Sequence, residues 1–351
     1  MFKTIRNDIR NSQFGATFRK ESKEIKDFYL TGTQREELAR MKAAKQIFYY
    51  SGWVLKAMFL KLTPVRRLLV IIGILPLFVI RFGDETNVQG NIFLGTFMLV
   101  LVIMLELKDK LLAHDELQEG KHIQELLMPE RTPHVDGWSL YLFTRSANEV
   151  CGDLIDFLRL EKPKAAVAIA DVAGKGLHAA LLTAKLQATI RAFAFDEPSL
   201  TALMARINSI FHRDSPAHMF ASLFYAEFSE ESGIIRFVNA GHLPALVVQQ
   251  GTVHELEKGE PALGLMRTVE YTEHTVTLNA GEWLMLYSDG ITEAKNEQGE
   301  FYTKERLIKA LHSSSSSSPE QIGQMIVADI DRFAGALSPS DDLSFIILKR
   351  R

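Results

Sequence analysis

Five aspartates lie where a predicted strand begins or ends. Asp153 follows the glycine of "CGD" and starts an apolar run, and Asp171 ends the strand "AVAIAD". Asp289 ends "WLMLYSD", while Asp341 and Asp342 open the last strand, "DDLSFII". Carboxylate oxygens are the ligands that Mg²⁺ and Mn²⁺ prefer, and two such ions close together activate water for attack on phosphorus. The pattern predicts a divalent-metal centre that hydrolyses a phosphate ester.

The single cysteine offers a different nucleophile. Cys151 lies two residues before Asp153, but a cysteine phosphatase needs an arginine six residues after its nucleophile, and Phe157 stands there. No basic group or helix start nearby would lower the pKa of the thiol. We therefore expect Cys151 to be a small residue beside the metal centre and Asp153 to carry the chemistry.

Short strands and a few helices must position these aspartates. Strands clustered in sequence, mostly joined by hairpins and followed by helices, indicate antiparallel sheets with covering helices, an α+β domain. The first two strands are expected to form a hairpin. The predicted strands are 138–144, 153–160, 165–172, 219–228, 233–240, 244–250, 269–278, 282–289 and 343–350, and the predicted helices are 176–195, 199–213, 304–311 and 319–333.

The region before this domain is basic and then strongly apolar. Residues 1–67 hold 15 Lys or Arg against 6 Asp or Glu, although the whole chain of 351 residues has a net charge of −3. The apolar runs 68–80 and 92–105 are shorter than the ~20 residues of a membrane-spanning helix, but flanking arginines can extend them. We expect a two-span transmembrane hairpin at 68–105, with the basic segment inside, a short loop at 81–90 outside, and anionic lipid as its partner. A buried or peripheral pair of helices is the alternative.

Residues 106–133 have the composition of a linker helix that Pro129 and Pro133 stop. Its apolar residues are only loosely heptad-spaced, so it either pairs in a homodimer or is a solvated linker. The scattered basic residues and the apolar segment after them do not favour nucleic acid as a partner.

A resemblance to a known family covers residues 118–350. "EVCGDLIDF", "IADVAGKGLHAALL", "FASLFYAEF", "FVNAGHLPALV", "PALGL", "LMLYSDGITEA" and "SDDLSFIIL" occur in the order seen in metal-dependent protein phosphatases. They resemble the bacterial SpoIIE/RsbU-like branch of the phosphatase 2C (PPM) superfamily.

The resemblance implies two antiparallel sheets between helices, an α/β/β/α sandwich, with two Mn²⁺ or Mg²⁺ ions at one end. It implies that Asp153, Asp171, Asp289, Asp341 and the carbonyl of Val172 are the metal ligands. Asp342 is the less favoured member of its pair. Asp153 and Asp171 would be catalytic through metal-activated water that hydrolyses phosphoserine or phosphothreonine. The substrate would be a phosphorylated regulatory protein of the anti-anti-sigma type, and the domain would lie in the cytoplasm at the bacterial inner membrane.

Other residues depart from the family pattern or tempt a different assignment. Cys151 replaces the usual glycine, and Ala173 stands where eukaryotic relatives have a histidine proposed as an acid, so no general acid is assigned. Lys175 in "AGKG" lacks the spacing of a nucleotide-binding loop and is a candidate contact for substrate phosphate. His242 in "NAGHLP" is expected to hold its loop by hydrogen bonds rather than act as a base.

Two other functions fit the same sequence. One is a non-catalytic partner-switch protein that binds a regulator without turnover, against which the intact set of aspartates argues. The other is a hydrolase of small phosphate esters that uses the same metal centre and differs in its substrate groove.

Overall fold

Within the described residues, four helices precede the β-rich part of the chain. The structure is a computed structural model that describes Lys26 and residues 28–79, 85–197, 199–216, 218–312 and 317–351. The chain divides into two compact units, the first ending at Leu112 and the second running from Ala113 to Arg351. The four helices are α1 (Gly32–Ala39), α2 (Ala43–Lys61), α3 (Pro64–Val79) and α4 (Glu85–Leu127).

Helix α4 corrects two expectations from the sequence. Its 43 residues join the second apolar run to the linker without a break, and residues 85–90, expected in a loop, are helical. No proline interrupts α4, and it ends at Leu127, two residues before Pro129. The rest of the expected loop, 81–84, lies outside the described residues.

The helices of the described segments do not include one that is both sufficiently long and sufficiently apolar to cross a bilayer. The two-span hairpin at 68–105 stays a prediction of the sequence.

Two five-stranded antiparallel sheets form the second unit, as the sequence predicted. The first sheet has the strand order β1-β10-β9-β6-β7 and the second β2-β3-β4-β5-β8. The strands are β1 (Trp138–Arg145), β2 (Asp153–Arg159), β3 (Lys164–Val172), β4 (Ala221–Ser229), β5 (Ile234–Ala240), β6 (Leu246–Gln249), β7 (Thr252–Glu255), β8 (His274–Thr277), β9 (Trp283–Tyr287) and β10 (Leu343–Arg350).

The expected hairpin between the first two strands is wrong. β1 pairs with β10 along its whole length, and β2 pairs with β3, so the two strands belong to different sheets. Residues 146–152 carry the chain from one sheet to the other. The run of apolar residues in β1 is compatible with either partner, since period-2 burial does not specify which strand lies alongside.

Helices cover both outer faces of the sandwich. α5 (Leu177–Phe193) and α6 (Leu200–Asp214) pack on the second sheet, and α7 (Asp289–Thr292), α8 (Lys304–His312) and α9 (Pro319–Ala334) accompany the first. A separate apolar cluster fills the space between the sheets. The strand alternation produces these layers: Ala166, Ala168 and Ala170 face the helices, whereas Val167 and Ile169 face the opposite sheet.

Candidate metal centre

Asp153 and Asp171 form a cross-strand pair at one end of the second sheet. Asp153 is the first residue of β2 and lies opposite Asp171 in the register of the antiparallel ladder. Their neighbours Leu154, Ala170 and Val172 face the helices. Since side chains alternate along a strand, both carboxylates lie on the face turned toward the other sheet. Like charges directly opposite each other destabilise a sheet, so this pair lowers the stability of the fold unless a cation lies between the two carboxylates.

The carboxylate of Asp153 is buried without being fully satisfied. Its side chain is 6% exposed, and within the described part of the chain its Oδ2 atom has no hydrogen-bond partner. Burial raises the pKa of Asp153 well above its usual value, and the nearby charge of Asp171 adds to this effect. Buried polar atoms are normally paired, so an orphaned carboxylate oxygen points to a missing positively charged partner.

Asp171 lies in the same acidic field but is less buried. Burial, followed by repulsion from Asp289, Asp341 and Asp342, raises the pKa of Asp171 to about 6. Electrostatic repulsion between carboxylates falls off with distance, so these four carboxylates lie within interaction range of one another. The structure therefore brings together the aspartates that the sequence singled out, from β2 and β3 on one sheet and from the ends of β9 and β10 on the other.

The sequence suggested that Asp289 ends a strand, but this residue begins a short helix. It is the first residue of α7, two positions after β9 stops at Tyr287. Burial raises its pKa, and Asp341 contributes by repulsion. The next residue has to be glycine because a Cβ atom at Gly290 would overlap the carbonyl oxygen of Asp342. This close approach places the start of α7 against the start of β10.

Asp342 has a structural role that separates it from its neighbour. Its Oδ1 accepts hydrogen bonds from the backbone N–H of Ala147 at 2.8 Å and from the hydroxyl of Ser146 at 3.3 Å, and its Oδ2 accepts from the N–H of Gly152 at 2.6 Å. The carboxylate thus ties the loop between the sheets to β10 and fixes the residue immediately before Asp153. The choice of Asp341 over Asp342 as a metal ligand stays a prediction of the sequence.

Lys175 lies over Asp341 in this structure. Its Nζ is 2.9 Å from Asp341 Oδ2 and 2.8 Å from the carbonyl oxygen of Ser340. The hydrogen bond to Asp341 is the main cause of a raised pKa for Lys175. The side chain therefore contacts a predicted metal ligand, and the contact with substrate phosphate expected from the sequence stays a prediction.

The residues present fit an oxygen-preferring divalent ion. Besides the orphaned oxygen of Asp153, the carbonyl oxygen of Val172 lies near Gly152, since a Cβ atom built on that glycine would be 3.8 Å from it. In this conformation, no three Asp, Glu, His or Cys side chains of the described segments converge tightly enough to enclose a metal ion. Carboxylates and a carbonyl are hard donors that match Mg²⁺ or Mn²⁺ rather than zinc.

Cys151 and His242 are not placed to do chemistry. Cys151 is 2% exposed, and burial, with the charge of Asp342, raises the pKa of its thiol. Burial lowers the pKa of His242 to about 4, so the imidazole is neutral near pH 7. Asn239 holds the backbone of His242 through hydrogen bonds of 2.8 and 3.1 Å, and the imidazole itself contacts the hydroxyl of Ser222 through Nδ1 at 2.8 Å.

Two polar residues near the centre were not predicted from the sequence. The hydroxyl of Ser222 lies 2.8 Å from His242 Nδ1 and accepts from the backbone N–H of Asp171 at 3.3 Å. Gln124, near the end of α4, hydrogen-bonds to the backbone of Cys151. A serine in a strand and a glutamine in a polar helix carry no signal of their own, and only the pairing of β3 with β4 and the docking of α4 reveal them.

Comparisons with known proteins agree with this fold. The family model described as "Stage II sporulation protein E (SpoIIE)" matches residues 161–351. Protein IcfG of Synechocystis sp. is 27% identical over 299 residues, which is 76% of this chain and 46% of that protein. Phosphoserine phosphatase RsbU of Bacillus subtilis is 25% identical over 238 residues, 67% of this chain and 70% of RsbU. The chain thus spans less than half the length of IcfG and about two thirds of RsbU.

Solved structures share the same sandwich. The SiaA-PP2C domain of Pseudomonas aeruginosa superposes with a TM-score of 0.59 at 20% identity, covering 70% of this chain and 98% of that one. The PP2C phosphatase domain and regulatory-domain fragment of SpoIIE from Bacillus subtilis gives a TM-score of 0.54 at 17% identity, covering 63% and 64% of the two chains. At these identities the likeness extends to the fold.

Proposed function

Since the chain belongs to the SpoIIE family and has the PP2C-type fold, we propose that it is a metal-dependent protein-serine/threonine phosphatase. The observation that carries the proposal is the buried, unpartnered oxygen of Asp153, directly across the ladder from Asp171. Such an arrangement is unfavourable in a purely structural role and becomes favourable when a divalent ion binds.

The proposed ligands are Asp153, Asp171, Asp289, Asp341 and the carbonyl of Val172, for two ions of Mn²⁺ or Mg²⁺. When bound, the two ions supply an activated water and neutralise charge on the phosphoryl group. The chain's own contribution is to hold these oxygens in fixed positions. Asp342 and Ser222 do so by fixing the backbone next to Asp153 and Asp171 respectively.

The buried thiol argues against a covalent route. Cys151 lies beside the centre, but its raised pKa and its burial remove the thiolate that a cysteine phosphatase needs. Direct attack by water, with no phosphoenzyme, is the reaction that the donor set favours.

The proposed substrate is a phosphoserine or phosphothreonine of a regulatory protein in a partner-switching system, of the anti-anti-sigma type. RsbU, one of the relatives, carries the name phosphoserine phosphatase. We further propose that the chain is held at the bacterial inner membrane by residues 1–105, with anionic lipid as a partner and the phosphatase domain in the cytoplasm. The excess of basic residues in 1–67 supports this location. A homodimer through α4 is part of the same proposal.

The test is phosphate release from a phosphoserine peptide and from a small aryl phosphate, with and without Mn²⁺. We expect Mn²⁺-dependent release by the wild type and its loss in Asp153→Asn and Asp171→Asn. Ser139→Ala, on the far end of β1, serves as the matched control for a substitution in the sandwich. Equal release by all four proteins would contradict the proposal, and release from the aryl phosphate alone would favour a small-ester hydrolase.

A further inference from the structure

The turn between β3 and α5 places a cation inside the acidic centre. Gly174 and Gly176 on either side of Lys175 have φ values of 109° and 74°, a backbone conformation that glycine adopts readily. The turn directs the Lys175 ammonium to Asp341 Oδ2 at 2.9 Å and to the carbonyl oxygen of Ser340 at 2.8 Å. These two partners belong to the segment that leads into β10, on the other sheet.

The ammonium interacts with more than one of the carboxylates. The negative charges of Asp342 and Asp289 raise the pKa of Lys175 in addition to Asp341. The positive charge of Lys175 in turn lowers the pKa of Asp171. One positive charge thus offsets part of the repulsion among four aspartates. A bound divalent ion would offset the same repulsion with its own positive charge.

The ion pair is built so that it can open at small cost. The side chain of Lys175 is 58% exposed and that of Asp341 is 42% exposed. Ion pairs this accessible to water contribute little stability, and lysine has a flexible stem that can turn into solvent. In a buried ion pair, removing the lysine would leave a desolvated carboxylate without a partner, so a metal ion would displace the lysine less easily.

We propose that Lys175 competes with a divalent ion for Asp341, so that its ammonium occupies the carboxylate in the metal-free chain and leaves it when a metal ion binds. The inference rests on the proposed metal centre and adds a function for Lys175 within it. The competition weakens metal binding and sets the metal concentration at which the centre fills.

The experiment is a direct titration of Mn²⁺, followed by the loss of the free-ion electron paramagnetic resonance signal, on the full chain without substrate. Lys175→Met and Lys175→Gln remove the charge, whereas Lys175→Arg keeps it. Lys185→Met is the matched control, because Lys185 lies on α5 and pairs with Asp214, away from the centre. We expect Mn²⁺ to bind about two- to fivefold more tightly to the two neutral variants, the factor for a half-exposed ion pair, and unchanged in Lys175→Arg and Lys185→Met.

Unchanged or weaker Mn²⁺ binding by both neutral variants overturns the competition. Asp153→Asn in the same titration separates this result from a failure of the proposed function. If the wild type binds Mn²⁺ and Asp153→Asn does not, the metal centre stands and only the inference about Lys175 fails. If the wild type and Asp153→Asn bind alike, both fail. Thermal unfolding of each metal-free variant shows that the compared proteins are folded.

Discussion

The side-chain amide of Gln124 forms two hydrogen bonds with the backbone of Cys151, as a neighbouring strand would. Its Nε2 donates to the carbonyl oxygen of Cys151 at 3.0 Å, and its Oε1 accepts from the N–H of the same residue at 2.9 Å. A second contact holds the same end of α4 to α5, since Gln187 Nε2 donates to the carbonyl of Leu127 at 3.0 Å. The C-terminal end of α4 is thereby connected to the residue two positions before Asp153.

Gln124→Ala is expected to lower both Mn²⁺ affinity and Mn²⁺-dependent phosphate release by about tenfold, because groups that position a ligand typically contribute this much. The matched control is Gln118→Ala, an exposed glutamine on the same helix. The measurement is the Mn²⁺ concentration that gives half-maximal release. Identical values for the two variants would show that the contact to Cys151 does not position Asp153.

Asp153→Asn is expected to have opposite effects on function and on stability. Metal binding and phosphate release should fall more than about 100-fold, because a ligand is lost. The metal-free protein should become at least as stable as the wild type, because burial of the carboxylate is unfavourable and the amide carries no charge. Urea unfolding in the presence of a chelator measures the second effect, and a clear loss of stability there would argue that Asp153 is a structural residue.

The adjacent pair Asp341 and Asp342 allows a matched comparison. Asp342→Asn replaces one of two acceptor oxygens by a donor that faces a backbone N–H, so it should lower the free energy of unfolding by roughly 2–4 kcal/mol. Asp341→Asn should change the metal-free stability by less than about 1 kcal/mol, since it breaks an exposed ion pair while the amide oxygen can still accept from the backbone N–H of Asp342. Mn²⁺ binding should be lost in Asp341→Asn. Loss of Mn²⁺ binding in Asp342→Asn but not in Asp341→Asn would reassign the ligand to Asp342.

His242 is expected to make folding stability depend on pH. The unfolded histidine titrates near 6.5 and the folded one near 4, so between these values the unfolded chain binds more protons. Stability from this group is complete above pH 6.5 and decreases as the pH falls, by about 3 kcal/mol at pH 4. The variant His242→Asn has no titrating group at this position, so its unfolding free energy should fall less across this range. Parallel pH profiles for variant and wild type would be inconsistent with a buried neutral imidazole.

Much of the β-sandwich follows from local pattern, whereas its connections do not. The alternation of Ala166, Val167, Ala168 and Ile169 shows a strand buried on both faces, and Asp171 at its end is visible as a candidate ligand. The pairing of β1 with β10 rather than β2 depends on contacts between distant parts of the chain, which periodicity does not encode. The short polar strand β7 was missed for a related reason: it is an exposed edge whose order comes from pairing with β6.

The same limit applies inside the candidate centre. Asp153, Asp171, Asp289 and Asp341 were recognisable as a set, because several carboxylates at strand ends together form a donor set for Mg²⁺ or Mn²⁺. The separate functions of Asp341 and Asp342 depend on which of them faces the loop at Ala147 and Gly152, a matter of three-dimensional packing. The ion pair of Lys175 likewise joins residues 166 positions apart.

The division of the aspartates between two sheets has a consequence for how the molecule folds. Asp153 and Asp171 come from strands that pair early in the sequence, whereas Asp341 precedes the last strand, which pairs with the first. Contacts this distant in the chain carry an entropic cost, since a long loop has to close before they are made. Asp341 can therefore join Asp153 and Asp171 only after the chain has been synthesised through β10, which lies between β1 and β9 in the finished sheet.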